Sequence, residues 1–244
     1  MTEITLNLAK RVLEVVDAGL VRGMGRPKPG QMCVEAAVCY AMDLPHGDNP
    51  TCVDPVLRSL KIALNDKEWS SNRTRAAGLR RLAIAQLGSD GKLDQKKFIE
   101  LLVITTVKTC VYSALMSAAS IHPSNEHRKK LIAVAKPCLI VKNKDTARAA
   151  ADAAAYAAAR AAADAADAAA RAAANAADAA AAAYAVYAAA ANAADVAAYA
   201  AAANAAAYAV KDKELAKFAE EVVQILIKLK VPGTKFLHLA PLNS

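Results

Sequence analysis

The chain is expected to be all-α, a multi-helix bundle with an alanine-rich C-terminal helical layer, and three observations lead there. Neither glycine nor proline occurs between Pro137 and Pro232, and alanine, the strongest helix former, fills most of that span. Apolar residues recur at helical spacing in the other long segments. No stretch offers a convincing strand. About nine or ten helices would account for the pattern.

The elements follow in order. "MTEITLNLAKRVLEVV" is charged and amphipathic, unlike a signal peptide's basic start and apolar run. In "RGMGRPKPGQMCVEAAVCYAMDLPHGDNPTCV" (Arg22 to Val53), Pro27, Pro29 and Gly30 predict an extended loop. "QMCVEAAVCYAM" then predicts a short helix with Cys33 in its first turn. "CVDPVLRSLKIALNDKEW" gives an amphipathic helix capped by Asp54, with Pro55 at its first position. "SSNRTRAAGLRRLAIAQLGSDG" gives another, capped by Ser70, Ser71 or Asn72. Leu79, Leu82 and Leu87 form its inner side, and Arg73, Arg75, Arg80 and Arg81 its basic outer side.

"SDGKLDQKKFIELL" resembles an EF-hand loop in Gly91 and Asp94. Gln86, Gly88 and Lys97 then fall on ligand positions they cannot serve, so a turn and a helix are expected. "LLVITTVKTCVYSALMSAASI" (Leu101 to Ile121) is long enough to cross a bilayer, but Lys108 lies inside it and a buried core helix is the expectation. Residues 211–230 are amphipathic, with Leu215, Phe218, Val222, Ile225, Leu226 and Leu229 inward. Pro232 and Gly233 break that helix, and the apolar "VPGTKFLHLAPL" predicts a tail docked back on the core.

In the alanine stretch, Arg148, Asp152, Tyr156, Arg160, Asp164, Asp167, Arg171, Asn175 and Asp178 step by three or four, leaving an alanine face opposite. Arg160, Asp164 and Asp167 recur as Arg171, Asn175 and Asp178, an eleven-residue period. The phase breaks at Tyr184, Tyr187, Asn192, Asp195 and Tyr199, and again at Asn204 and Tyr208. Two or three helices are therefore expected, turning near 178–184 and 200–204, with Asp178, Asn192, Asp195 or Asn204 as caps. The tyrosines would act as wedges between close-packed alanine faces. Two domains follow, a basic helical one at 1–145 and an alanine-rich scaffold at 146–244.

Charge locates the candidate contact surface. The chain carries a net +8. From Arg148 to Val210 three Arg face five Asp, and from Lys211 onward six Lys face four acids. The first 147 residues thus hold the whole excess, 22 basic groups against 14 acidic, and would attract any phosphate or acidic partner. Four arginines on one helix, with Arg26 and Lys28 in the preceding loop, are the candidate ligand-binding residues for a nucleotide-like or other small phosphorylated ligand. Nucleic acid would be bound without sequence specificity, since aromatics are not interleaved with these cations.

Five scattered cysteines, an odd number, imply reduced thiols in a cytoplasmic protein. Cys33 at a helix start would feel the positive end of the dipole and ionise more readily. With His46 as base and Gln31 as oxyanion donor it would make a cysteine-dependent hydrolase, the enzymatic alternative. Cys33, Cys39, His46 and Cys52 are spaced by five, six and five intervening residues, unlike the close pairs of a zinc site, so no metal and no cofactor are expected.

"RPKPGQMCVEAAVCYAMDLPHGDNPTCV", "LKIALND" and "GLRRLAIAQLGSDG" resemble an uncharacterised alanine-rich protein family of bacteria and their phages. The alanine-rich half is loosely similar to immunity-protein domains. It is also similar to helical antifreeze proteins of fish, but lacks their regular threonine: none occurs between Thr146 and Thr234. The resemblance to the phage and bacterial family implies a mobile-element accessory factor of the counter-defence or immunity type. The expected function is non-enzymatic binding of a host or phage protein or a nucleotide-like ligand, with no membrane role. Alanine faces that pair between subunits would make a homo-oligomer.

Overall fold

The computed structural model describes residues 3–121, 125–161 and 207–242. Among these, nine α-helices and no strand are found. They are α1 (Leu6–Asp17), α2 (Val34–Ala41), α3 (Pro55–Asn65), α4 (Asn72–Ala85), α5 (Gln95–Thr106), α6 (Tyr112–Ile121), α7 (Asn125–Leu139), α8 (Lys144–Ala161) and α9 (Ala207–Lys228). A π-helical turn, Val107–Val111, joins α5 to α6, and a 3-10 helix, Pro232–Leu239, follows α9. The expected all-α class is what the chain adopts.

Contacts group the chain into two compact units, Met1–Phe98 with Ala219–Ser244, and Ile99–Phe218. These limits differ from the compositional ones at 145 and 146. Composition marks where alanine begins, whereas the units follow which residues touch.

In the first unit, short side chains stop and start the helices. Thr5 caps α1 by accepting from Leu8 N at 3.2 Å. Asp54 caps α3 by accepting from Val56 N at 2.8 Å, with Pro55 in the first turn where its missing N–H costs nothing. Of the three residues able to cap α4, Ser71 does so. Its hydroxyl accepts from Thr74 N at 3.1 Å and Thr74 Oγ1 accepts from Ser71 N at 2.9 Å, a reciprocal pair. Asp94 starts α5 by accepting from Lys97 N at 2.9 Å, so the "GSDG" segment is a turn and a cap. The apolar faces of α1, α2 and α4 meet around Val12, Val16, Val38, Leu79 and Leu82, all buried.

The tail docks as the sequence suggests. Gly233 N donates to Leu87 O at 2.7 Å, and a Cβ at Gly233 would stand 2.2 Å from Ile84 O, a distance no side chain tolerates. Phe236 and Ala240 are buried behind it. Arg81 holds the second half of α9 through Glu220, at 2.8 Å, and the tail through Ala240 O.

The first unit also encloses charge. Glu35 on α2 and Lys61 on α3 are both fully buried, with Oε1 and Nζ 3.4 Å apart. Burial raises the Glu35 carboxyl to about 7, against the pull of Lys61. Burial also lowers the Lys61 amine, against the opposing effect of Glu35.

In the second unit, α6, α7 and α8 pack in sequence, with the π turn against α7 and α8. Thr106 Oγ1 donates to Leu102 O and Thr109 Oγ1 to Thr105 O, each at 2.8 Å, where the wider turn loosens the backbone ladder. The run Gln95–Ser120 is the one helix among the described residues long and apolar enough to cross a membrane, and half of its most apolar window is buried. Asn143 starts α8 by accepting from Thr146 N at 2.9 Å. Along α8, Ala147, Ala150, Ala151 and Ala154 are buried while Arg148 and Asp152 are exposed, which is the expected alanine face. The remaining readings of the alanine stretch, from the turns near 178–184 and 200–204 to the caps and the tyrosine wedges, lie outside the described residues.

The raised Glu35 pKa gives stability a defined slope. Between the ordinary 4.5 and about 7 the folded chain holds a proton at Glu35 that the unfolded chain has released. This contribution is complete below the lower value and is lost as pH rises through the upper one. Denaturant titrations at pH 5 and pH 7.5 should show the wild type losing on the order of 2–3 kcal/mol more than Glu35→Gln does.

Candidate functional site

Between α1 and α2 the chain makes a loop, residues 19–33, that is held more tightly than its composition suggests. It folds back on itself: Val21 N donates to Met32 O at 2.9 Å, Arg26 N to Gln31 O at 2.7 Å, and Cys33 N to Met24 O at 3.2 Å. The turn needs glycine at Gly25, whose φ is +74° and whose Cβ would lie 2.0 Å from Gln31 O. Met32 is fully buried in the fold of the loop.

Side chains from elsewhere in the same unit then pin it. The Arg75 guanidinium, buried at the first turns of α4, donates to Leu20 O at 3.0 Å, Asn65 O at 2.9 Å and Asn72 Oδ1 at 2.9 Å. Asn65, ending α3, donates to Val21 O at 3.0 Å and accepts from Val34 N at 3.3 Å. Asp66 accepts from Gly23 N at 2.8 Å. His46 Nε2 meets Gly25 O at 3.1 Å, so that nitrogen carries the proton, because a carbonyl can only accept. Under the loop lies a cavity of about 40 Å³, bordered by Met24, Cys33, Asn65 and Asp66.

What the pinned backbone presents to solvent is Arg22, Met24, Arg26 and Lys28, all exposed. Arg73, next in sequence to the Asn72 that accepts from Arg75, is exposed too. Ordering a loop of this kind before binding removes an entropic cost from the association step. Long side chains on a fixed backbone suit a partner carrying negative charge.

The other predicted residues have different employment. Arg75 is not on an outer basic side. It is buried, because three carbonyl-type acceptors surround it and a guanidinium there satisfies them together. Arg80 grips Asp17 through two bonds of 2.6 and 3.0 Å, and Arg81 grips Glu220, so both serve packing within the unit. Of the six cations singled out from the sequence, Arg26, Lys28 and Arg73 remain exposed with no ion pair of their own among the described residues.

No hydrogen bond among the described residues links the side chains of Cys33, Gln31 and His46 to one another. Cys33 is the N-cap itself, buried, with its sulfur accepting from Ala36 N at 3.3 Å. Its pKa is raised, since desolvation outweighs the helix-terminal bonds expected to lower it. Gln31 and His46 are exposed, and His46 is bonded to the loop. Cys39 is pushed to about 11, also by burial. No group of three metal-ligating side chains forms among the described residues.

Asn65, Asp66, Glu35, Lys61 and Gln86 went unnoticed in the sequence. Lys61 did leave a signal: with Leu57, Leu60 and Leu64 it falls on the apolar phase of α3, where a charge must be buried. A second concavity, about 250 Å³ and bordered by Thr51, Cys52 and Gly88, sets Glu3 and Asp90 against Lys92 and Lys235. Its charges balance, so it has no preference for an anion.

Comparison with protein-family models, with curated proteins and with solved structures returns no match.

Two outcomes are expected from this geometry. Arg75→Met should cost about 2–4 kcal/mol by orphaning the Leu20 and Asn65 carbonyls, and should speed amide exchange across 20–33 beyond that in α1. Alkylation of Cys33 by iodoacetamide at pH 6 should be slow in the folded chain and rapid only after denaturation at higher pH. Fast, selective labelling of the native protein would instead mark an activated thiol.

Proposed function

We propose that the protein is a non-enzymatic binding protein whose pinned basic loop engages an acidic partner surface. The observation that carries this reading is the loop's construction. Buried Arg75, Asn65 and part-buried Asp66, with His46 from outside, fix a backbone whose outward side chains are Arg22, Met24, Arg26 and Lys28. Nothing about packing requires that a surface turn be secured from four directions, whereas presenting cations in a fixed arrangement does.

The partner that best suits the loop is a protein with clustered carboxylates. A small phosphorylated ligand would favour a concave pocket with converging donors, whereas Arg22, Arg26 and Lys28 are exposed and border neither of the two concavities described. The exposed Met24 offers an adaptable apolar contact amid the charges, as protein-binding surfaces often do. The resemblance to the alanine-rich phage and bacterial family adds a setting, a mobile-element accessory factor of the counter-defence or immunity type working in the cytoplasm on a host or phage protein. The alternative, a hydrolase built on Cys33 and His46, has its thiol buried and protonated and its imidazole engaged by Gly25 O.

A photo-cross-linking residue placed at position 28 tests the reading in living bacteria. A discrete protein adduct is expected, weakened at least tenfold by Arg22→Glu with Arg26→Glu and by high salt during capture. Absence of any adduct, or one indifferent to charge reversal, would remove the loop as the binding surface.

A further inference from the structure

Three polar atoms sealed inside the first unit have no hydrogen-bond partner: Glu35 Oε1, Lys61 Nζ and Gln86 Oε1. They come from three elements, α2, α3 and the residue that closes α4, and all three side chains are fully buried. Glu35 is the hub. Its Oε2 accepts from Gln86 Nε2 at 3.3 Å, and its Oε1 lies 3.4 Å from Lys61 Nζ.

Both distances are long for bonds to a charged group, which settle near 2.7–2.9 Å when nothing intervenes. The ammonium and carboxylate are near enough to feel each other's charge. The angle between them still leaves both atoms without a true hydrogen bond. Buried polar groups in folded proteins nearly always find a partner, so three orphans on side chains that all adjoin Glu35 call for a common explanation.

Their chemistry specifies the missing member. An ammonium offers three hydrogens, while a carboxylate oxygen and an amide oxygen each accept. The complement is a group that accepts one hydrogen bond and donates two. We propose that Glu35, Lys61 and Gln86 form the binding site of a single internal water molecule, which accepts from Lys61 Nζ and donates to Glu35 Oε1 and Gln86 Oε1.

Three partners is the usual number for a buried water, and the site is lined by polar atoms from three helices, as such sites require. A metal cation would be repelled by Lys61. A larger polar ligand has no way in, since none of the three side chains reaches the surface. The water would join α2, α3 and α4 through one atom and hydrate the Glu35–Lys61 pair without opening it to solvent. The site is independent of the binding loop and of what that loop engages.

Oxygen-17 relaxation dispersion of the whole protein, paired with a crystal structure fine enough to resolve ordered water, tests the proposal. The wild type should carry one more long-lived water than a variant combining Glu35→Leu, Lys61→Met and Gln86→Leu, an apolar exchange that buried ion pairs commonly tolerate. The electron density should hold a peak within hydrogen-bonding distance of all three atoms. Equal dispersion amplitudes in the two proteins would overturn the site. So would density in which Lys61 Nζ closes directly on Glu35 with no peak beside Gln86. Should the triple variant fail to fold, the wild-type density decides alone.

Discussion

A guanidinium buried near the start of α4 organises the part of the first unit that is not helical. Arg75 reaches Leu20 O in the loop, Asn65 O at the end of α3 and Asn72 Oδ1 in its own first turn, so that one side chain joins three elements. The Leu20 and Asn65 carbonyls would otherwise be stranded away from water, and one planar, permanently charged group can serve them together with Asn72 because its donors are fixed in a fork. The bonds made by Asn65 and Asp66 are arranged around this one. If α4 did not bring Arg75 to this position, the end of α3 and the start of the loop would be joined only by the bonds of Asn65 and Asp66.

The same logic, charge spent inward, recurs through the unit. Arg80 and Arg81 fasten α4 to Asp17 and Glu220, and Arg11 does likewise with Asp43 through bonds of 2.9 and 2.7 Å. The basic excess of the first 147 residues is thus smaller in effect than in count. A chain with many arginines can be presenting a cationic surface or satisfying its own carbonyls and carboxylates, and only the geometry separates the two.

That separation marks how far the sequence could be read. Helix positions were legible because they depend on neighbours in the chain: the start of α3 on Asp54 followed by Pro55, and the inward leucines of α4 and the alanine face of α8 on helical periodicity. The docked tail was legible from apolar residues beyond a helix breaker. Arg75 was legible only in part: it shares the buried phase of Leu79 and Leu82, four and seven residues on, but the carbonyls it serves come from residues 20 and 65, which spacing along α4 does not reveal. The Cys33 reading went astray for a related reason. Its place at a helix start is local and was nearly right, but the thiol's pKa depends on how much protein covers it, which only the tertiary fold determines. Asn65, Asp66 and Gln86 are ordinary polar residues whose roles exist only in the company they keep.

The seating of the tail has a consequence for how the chain reaches this state. Arg80 bonds to Leu239 O across 159 residues of sequence, Arg81 to Glu220 across 139, and Gly233 rests on the backbone of α4. Closing loops of that length costs about 4 kcal/mol in chain entropy beyond a constant, and nothing local repays it in advance. On the ribosome, α1 to α4 emerge long before the segment that completes their core, so Leu87 and its neighbours wait partly uncovered until residues 219–242 have been made. The alanine-rich stretch of sequence between them sets the length of that delay, since all of it must be made before the first unit receives its last piece.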